Sequence, residues 1–193
     1  MSRMGLLAAV SAWSLVVPVL AAPHATGFTQ AETGRVDRLL RLIQARLDGA
    51  PAVAVAKWKS MARIEDGASE ETALAAVRAR AGALGLEPAL AVRFAQAQID
   101  AGKIIQAARH RAWAGDAAGA PARDPRADSF KATQPEPEFS AAFLTALRDA
   151  AKVLRRPGGR ALLDRRAADL IHVGGQDLLA GQAALAPLYD IAN

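Results

Sequence analysis

Apolar residues recur at helical spacing through most of this chain. The clearest stripe is Val36, Leu39, Leu40, Ile43 and Leu47, which has the spacing of one buried helix face. No segment shows the sustained apolar and polar alternation of a half-buried strand, and β-branched and aromatic residues are few. The pattern therefore predicts an all-α protein.

Turn and capping residues divide this pattern into predicted helices. A first helix begins near Thr29 and ends around Gly49, and Pro51 starts a further helical segment in nearly the same direction. Ser69 is the predicted N-cap of the next helix, which ends near Leu84. The remaining helices are predicted over about 87–113, 139–154, 160–171 and 176–188.

A proline-rich stretch separates two groups of helices. Residues 115–137 are rich in Gly, Ala, Asp and Arg and have prolines at 121, 125, 135 and 137. This composition is typical of a linker or a long surface loop. The sequence thus predicts a helical domain over 29–114, a loop or linker over 115–137, and a C-terminal helical region over 138–193.

The first residues have the order of an export signal. Arg3 is followed by an apolar run from Leu6 to Ala22, interrupted only by small polar residues and Pro18. This order predicts a signal peptide over 1–21, cleaved between 21 and 25, rather than a retained anchor. We therefore expect a periplasmic or secreted protein without a stable membrane anchor after cleavage. The chain has no cysteine, hence neither a lipid attachment site nor a disulfide.

Charge narrows the possible partners. The segment 1–21 contains one of the 24 basic residues and none of the 19 acidic ones, so the remainder has a net charge of +4. Its basic residues are scattered or paired rather than gathered in a stripe, and nucleic-acid binding is not expected. The three histidines are isolated in the sequence, and no spacing predicts a metal site.

A set of polar residues in the first helical part carries the candidate chemistry. In chain order these are Arg46, Lys57-Trp58, Ile64-Glu65-Asp66, Glu70, and the run from Gln98 through Asp100, Lys103 and Ile105 to Gln106. In residue type and spacing, the set resembles the secreted gamma subclass of the all-helical chorismate mutases. The resemblance covers residues 35–113 well and the C-terminal part loosely. It implies a helical bundle of the chorismate mutase type with additional C-terminal helices.

The same resemblance implies an isomerase of aromatic amino acid biosynthesis, which rearranges chorismate to prephenate without metal or cofactor. By resemblance, Arg46 holds a substrate carboxylate, Lys57 bridges a carboxylate and the ether oxygen, and Gln106 donates its amide N–H to that oxygen. Asp66 and Glu70 orient the ring hydroxyl. Such a rearrangement needs only positioning and electrostatic stabilisation. The subclass also implies a homodimer with each pocket inside one chain.

Three positions depart from the family pattern. The resemblance places an arginine at position 69, a small polar residue at 102 and another arginine at 143, where this chain has Ser69, Gly102 and Phe143. Each lost charge-assisted contact costs roughly 1.5–3 kcal/mol, so two missing cations lower binding and rate by orders of magnitude. The candidate replacements are Lys103, Arg63 and Arg148.

Alternatives to an active enzyme remain open. One is a weakened or inactive mutase-like protein that binds another small anion, and another is a helical interaction protein without a ligand. Taken singly, Arg46 is also typical of a solvated helix residue, and Glu65 and Asp66 of turn and capping acids. Lys57 beside Trp58 is likewise compatible with an amphipathic residue next to a core aromatic.

Overall fold

The computed structural model of this chain describes residues 27–123 and 139–193. Over these residues it contains helices α1 (Gln30–Ser60), α2 (Gly67–Ala83), α3 (Pro88–Gly115), α4 (Ala141–Leu154), α5 (Gly159–Leu170) and α6 (Leu178–Ile191), with a 3₁₀ turn (Gly175–Asp177) before α6. The predicted all-α class is confirmed. The predicted signal peptide and most of the predicted loop lie outside the described residues. None of the described helices is long and apolar enough to cross a bilayer.

α1 is one continuous helix, so the predicted break near Gly49 is wrong. Pro51 lies inside it, where a proline removes one hydrogen bond and crowds the preceding turn. The buried face nevertheless continues through Leu47, Ala50 and Ala54, each at most 4% exposed. Burial of this face on both sides of the proline keeps the two segments aligned as a single helix.

The start of α2 also differs from the prediction. Its N-cap is Asp66, whose Oδ1 accepts a hydrogen bond from the N–H of Ser69 at 3.2 Å. Ser69, predicted as the cap, is instead the third residue of the helix. Both residue types cap helices well, and the Asp66 carboxylate supplies the acceptor here.

One apolar core joins the helices on both sides of the proline-rich stretch. α3 packs against α1, α2 and α6, and α1 also packs against α4 and α5. Most of the largest fully buried side chains come from α1 and α3 to α6, and they include Leu39, Leu40, Ile43, Phe94, Leu147, Leu163 and Leu188. α2 contributes only Val77 and Ala81 as buried residues, so it is the helix least anchored by apolar contacts.

Polar contacts fasten the C-terminal helices to this core. Asp37 of α1, 8% exposed, accepts two hydrogen bonds from the guanidinium of Arg166 on α5, at 2.6 and 3.0 Å. These bonds raise the pKa of Arg166. The buried amide of Gln98 on α3 donates to the carbonyl of Ala184 on α6 at 2.7 Å. The buried carboxylate of Asp37 and the buried amide of Gln98 are therefore both matched to partners.

Candidate functional site

The last turn of α1 and the loop after it bring Lys57 close to Asp66. Lys57 Nζ donates to the carbonyl of Ile64 at 2.9 Å. Hydrogen bonds from the hydroxyl and the N–H of Ser69 lower the pKa of Asp66, and the nearby charge of Lys57 lowers it further. Asp66 is therefore a carboxylate at neutral pH, within electrostatic range of the lysine.

Glu70 joins this group directly and through Lys103, which the sequence offered only as a candidate replacement for a missing arginine. Glu70 Oε1 accepts from the N–H of Asp66 at 3.4 Å, and its Oε2 lies 3.0 Å from Lys103 Nζ. Lys103 Nζ is also 3.0 Å from Glu65 and 3.4 Å from Asp100. Burial lowers the pKa of Lys103, but the bonds to Glu65 and Glu70 outweigh burial and raise it overall. Lys103 thus remains charged and engaged by protein carboxylates.

Gln106 follows Lys103 by one turn of α3 and is buried, at 7% exposure. Its Oε1 is shielded from solvent and has no hydrogen-bond partner among the described residues. Leaving a buried amide oxygen without a donor costs about 1–3 kcal/mol. A Cβ at Gly102, one turn earlier, would stand 3.7 Å from Gln106 Nε2, so a small side chain fits there. An oxygen in this state can accept a hydrogen bond from a ligand.

Arg46 lies in the middle of α1, eleven residues before Lys57. Its guanidinium carbon is 4.8 Å from the centre of the Phe139 ring, a cation–π contact. Eleven residues span just over three helical turns, so Arg46 and Lys57 share one face of α1, roughly 17 Å apart along its axis.

The structure brings Lys57, Asp66 and Glu70 into one group, with Gln106 one turn beyond Lys103. The convergence of all five predicted residues on a single cavity stays a prediction.

Two of the three departures from the family pattern have clear structural roles. Ser69 is exposed, and its hydroxyl donates to Asp66 Oδ2 at 2.8 Å. Phe143 is a core residue, 4% exposed, with its ring 5.5 Å from that of Phe94 and 6.0 Å from that of Phe139. Position 143 therefore packs among aromatic rings, where an unpaired arginine would be costly.

Two of the candidate replacement cations are occupied elsewhere. Lys103 is held by the three carboxylates described above. Arg148 bonds to Asp149 at 2.9 Å and to the carbonyl of Leu84 at 3.1 Å. Arg63 lies exposed in the loop between α1 and α2. Of the three, Arg63 is therefore the one that the described contacts leave available to an anion.

A cluster around Trp58, which sequence patterns did not indicate, covers the end of α1 next to Lys57. The indole N–H of Trp58 donates to the carbonyl of Pro121 at 3.0 Å, and the guanidinium of Arg123 stacks on the indole at 3.7 Å. The rings of His110 and Trp113 pack edge-on against Trp58, with centroids 5.2 and 5.5 Å away. These contacts join residues 52 to 65 positions apart and have no local signal. They attach residues 121–123 to the end of α1.

The histidines contribute no metal site within 27–123 and 139–193, where no group of three or more His, Asp or Glu side chains is arranged to hold an ion. His110 Nε2 lies 2.8 Å from the carbonyl of Ala54, which links α3 to α1. His172 donates its backbone N–H to Gln44 at 2.8 Å. His24 lies outside the described residues.

Comparison with solved structures finds the same fold in two bacterial chorismate mutases. The crystal structure of chorismate mutase from Burkholderia thailandensis matches with a TM-score of 0.70 and 28% sequence identity, covering 80% of this chain and 98% of that chain. Chorismate mutase from Burkholderia phymatum matches with a TM-score of 0.66 and 23% identity, over 82% and 98%. No protein-family model and no curated protein sequence matches this chain. The likeness confirms the predicted all-helical chorismate mutase fold.

Proposed function

We propose that this chain is an exported chorismate mutase that rearranges chorismate to prephenate by electrostatic positioning and without a cofactor. The observation that carries the proposal is the structural likeness to the Burkholderia thailandensis enzyme along nearly all of that chain, at 28% identity. The group of Lys57, Asp66 and Glu70 supports it, since these residues also match the family in sequence spacing.

The contacts of Lys57 and Gln106 suit the chemistry of the proposed reaction. As the ether bond of chorismate breaks, negative charge grows on its oxygen, and prearranged donors stabilise that charge most. The carbonyl of Ile64 restrains the ammonium of Lys57. The Gln106 amide is buried and can supply an N–H donor at any pH. In this proposal Arg46 holds a substrate carboxylate, while Asp66 and Glu70 orient the ring hydroxyl.

Export and assembly are part of the same proposal. The order of charged, apolar and small residues in 1–21 supports a cleaved signal peptide. Expression of the full chain in a Gram-negative host, followed by periplasmic fractionation and N-terminal sequencing, tests this point. The expected product begins between residues 22 and 26. Light scattering of that product tests the homodimer implied by the secreted subclass.

A second possible function follows from the cations of the site, because one expected arginine is replaced by Ser69 and Lys103 is already paired with carboxylates. With Ser69 bonded to Asp66 and Lys103 surrounded by acids, the site has fewer free cations than a dianion such as chorismate favours. A weakened or inactive mutase-like protein that binds another small anion is the corresponding alternative. A helical interaction protein without a ligand is a third possibility, because the fold alone does not fix function.

An assay that uses absorbance to measure the consumption of chorismate by the purified mature chain separates these functions. Turnover that disappears in a Lys57→Ala variant supports the mutase. If chorismate is not consumed but a dianionic transition-state analogue raises the melting temperature, the anion-binding function replaces it, since a ligand that binds only the folded state stabilises that state. Neither turnover nor stabilisation would favour the interaction protein.

A further inference from the structure

The segment from Met61 to Glu70 has almost no apolar attachment to the rest of the molecule. It comprises the loop after α1 and the first turn of α2, and none of its ten residues is buried. The buried residues of α2, Val77 and Ala81, lie in the second half of that helix. The position of this segment must therefore be set largely by polar contacts.

Lys103 supplies polar contacts at two points of the segment. Its Nζ is 3.0 Å from Glu65 Oε2 and 3.0 Å from Glu70 Oε2, so one ammonium on α3 holds both the loop and the first turn of α2. The side chain of Lys103 is 18% exposed and that of Glu70 is 20% exposed, which shields this pair from solvent. Partly buried charge pairs lose less strength to screening than exposed ones.

The two points held by Lys103 lie next in the chain to the groups that contact Lys57 or bond to them directly. Glu65 lies between Ile64, whose carbonyl accepts from Lys57 Nζ, and Asp66, whose charge lies near the same ammonium. Glu70 also accepts from the backbone N–H of Asp66. A shift of the segment away from α3 would therefore move both the Ile64 carbonyl that bonds to Lys57 and the Asp66 carboxylate near its ammonium.

We infer that Lys103 is a positioning residue that clamps the loop between α1 and α2 to α3 and thereby fixes Lys57 and Asp66 in the proposed site. Without this ammonium, Glu65, Glu70 and Asp100 would be neighbouring like charges with no cation between them, and the segment would separate from α3. The catalytic consequence rests on the proposed function, whereas the clamp rests on the geometry alone.

The test compares Lys103→Met with a matched control on the same helix. Arg109 forms a 2.7 Å ion pair with Asp177, and the side chains of this pair are 25% and 19% exposed. Arg109→Met removes a pair of similar burial that does not touch the segment. We expect the kcat of Lys103→Met to fall tenfold or more, with a smaller change in KM. Its melting temperature should fall no further than that of Arg109→Met, which should keep the parental kcat.

A conservative replacement and a milder variant sharpen the result. Lys103→Arg retains charge and donors, and should recover most of the lost kcat. Glu65→Gln breaks one arm of the clamp at a side chain that is 66% exposed. It should lower kcat by a few-fold without unfolding the protein, which keeps the inference testable if Lys103→Met does not fold.

Hydrogen exchange tests the clamp independently of turnover. The amides of 61–70 should exchange at least several-fold faster in Lys103→Met or Glu65→Gln than in the parent, and Arg109→Met should leave them unchanged. Unaltered exchange in both clamp variants would overturn the inference, as would equal kcat in Lys103→Met and Arg109→Met. If the parent does not consume chorismate, the proposed function fails, and the exchange rates alone decide whether the clamp exists.

Discussion

Two buried glutamines on α3 differ in whether their amide groups have hydrogen-bond partners. The regions of the molecule in which they lie differ in the same way. Gln98, 3% exposed, faces the C-terminal helices and donates to the carbonyl of Ala184 at 2.7 Å. Gln106, 7% exposed, lies two turns later toward the loop after α1, and its Oε1 has no partner among the described residues. One region satisfies its buried amide and contributes stability. The other leaves an amide oxygen without a donor, as expected where a hydroxyl of a ligand completes its hydrogen bonds. This acceptor role is separate from the N–H donation proposed for the ether oxygen.

The largest expected effect comes from Lys57, in the region assigned to chemistry. Lys57→Ala should lower turnover of chorismate by about 10²–10³-fold or more, because one donor is lost where negative charge develops. Its melting temperature should change little, since the partly exposed Ile64 carbonyl can bond to water instead. Lys59→Ala, on the same final turn of α1, is the control and should keep parental turnover. Near-parental activity in Lys57→Ala would place the active site elsewhere.

The two glutamines themselves give the next largest effect. Gln98→Leu should destabilise the fold by about 1–3 kcal/mol, because the Ala184 carbonyl loses its buried donor. Gln106→Leu should leave stability unchanged or raise it slightly, while lowering kcat by roughly 10²-fold or more. Urea unfolding and steady-state kinetics on both variants measure the contrast. Equal destabilisation of the two would show that Gln106 is as well satisfied as Gln98.

Ser69 offers a gain of function within the same region. Ser69→Arg should improve kcat/KM for chorismate by about tenfold, equivalent to about 1.4 kcal/mol, if position 69 is where the family's arginine holds a carboxylate. The variant loses the Ser69 hydroxyl bond to Asp66 but keeps the backbone N–H cap, so the stability cost should stay near 1 kcal/mol or below. Ser69→Gln, similarly long but neutral, should show no such gain. A flat or reduced kcat/KM in Ser69→Arg would favour a site adapted to another anion.

The smallest expected effect is that of pH. The pKa of Asp66 is lowered in the folded protein, so its contribution to stability is complete above its unfolded pKa, about 3.9, and is lost as pH falls through the folded value. Gln106 does not titrate. The kcat/KM for chorismate should therefore stay nearly constant from about pH 6 to 8. A rise toward acid would show that a protonated carboxyl group, rather than the Gln106 amide, supplies the donor.

The sequence predicted those features that depend on local pattern. The stripe from Val36 to Leu47 predicted a buried face of α1, because helical spacing is visible in a short window. The break before Pro51 was predicted wrongly, since the burial of Ala50 and Ala54 depends on helices distant in sequence. Choosing Ser69 over Asp66 as the N-cap failed for a related reason, because both side chains can cap and only the backbone path decides between them.

The candidate site was predictable in membership but not in arrangement. The resemblance supplied Lys57, Asp66, Glu70 and Gln106 in order along the chain. It gave no indication that Lys103 would be held by Glu65 and Glu70, more than thirty residues earlier. The cluster of Trp58 with Arg123 was equally hidden, because it links the end of α1 to the proline-rich stretch. Contacts of this kind depend on how α1, α2 and α3 pack.

Because α1 is continuous through Pro51, it fixes the distance between the two cations proposed to contact the ligand, Arg46 and Lys57. In two helices joined by a hinge, the distance between Arg46 and Lys57 would vary with thermal motion. In one helix that distance is set by covalent geometry and backbone hydrogen bonds, at roughly 17 Å between the two positions. The fixed spacing of the two cations would then favour ligands whose anionic groups match it. Deleting one residue between the two cations would turn Lys57 by about 100° around the axis and end that preference.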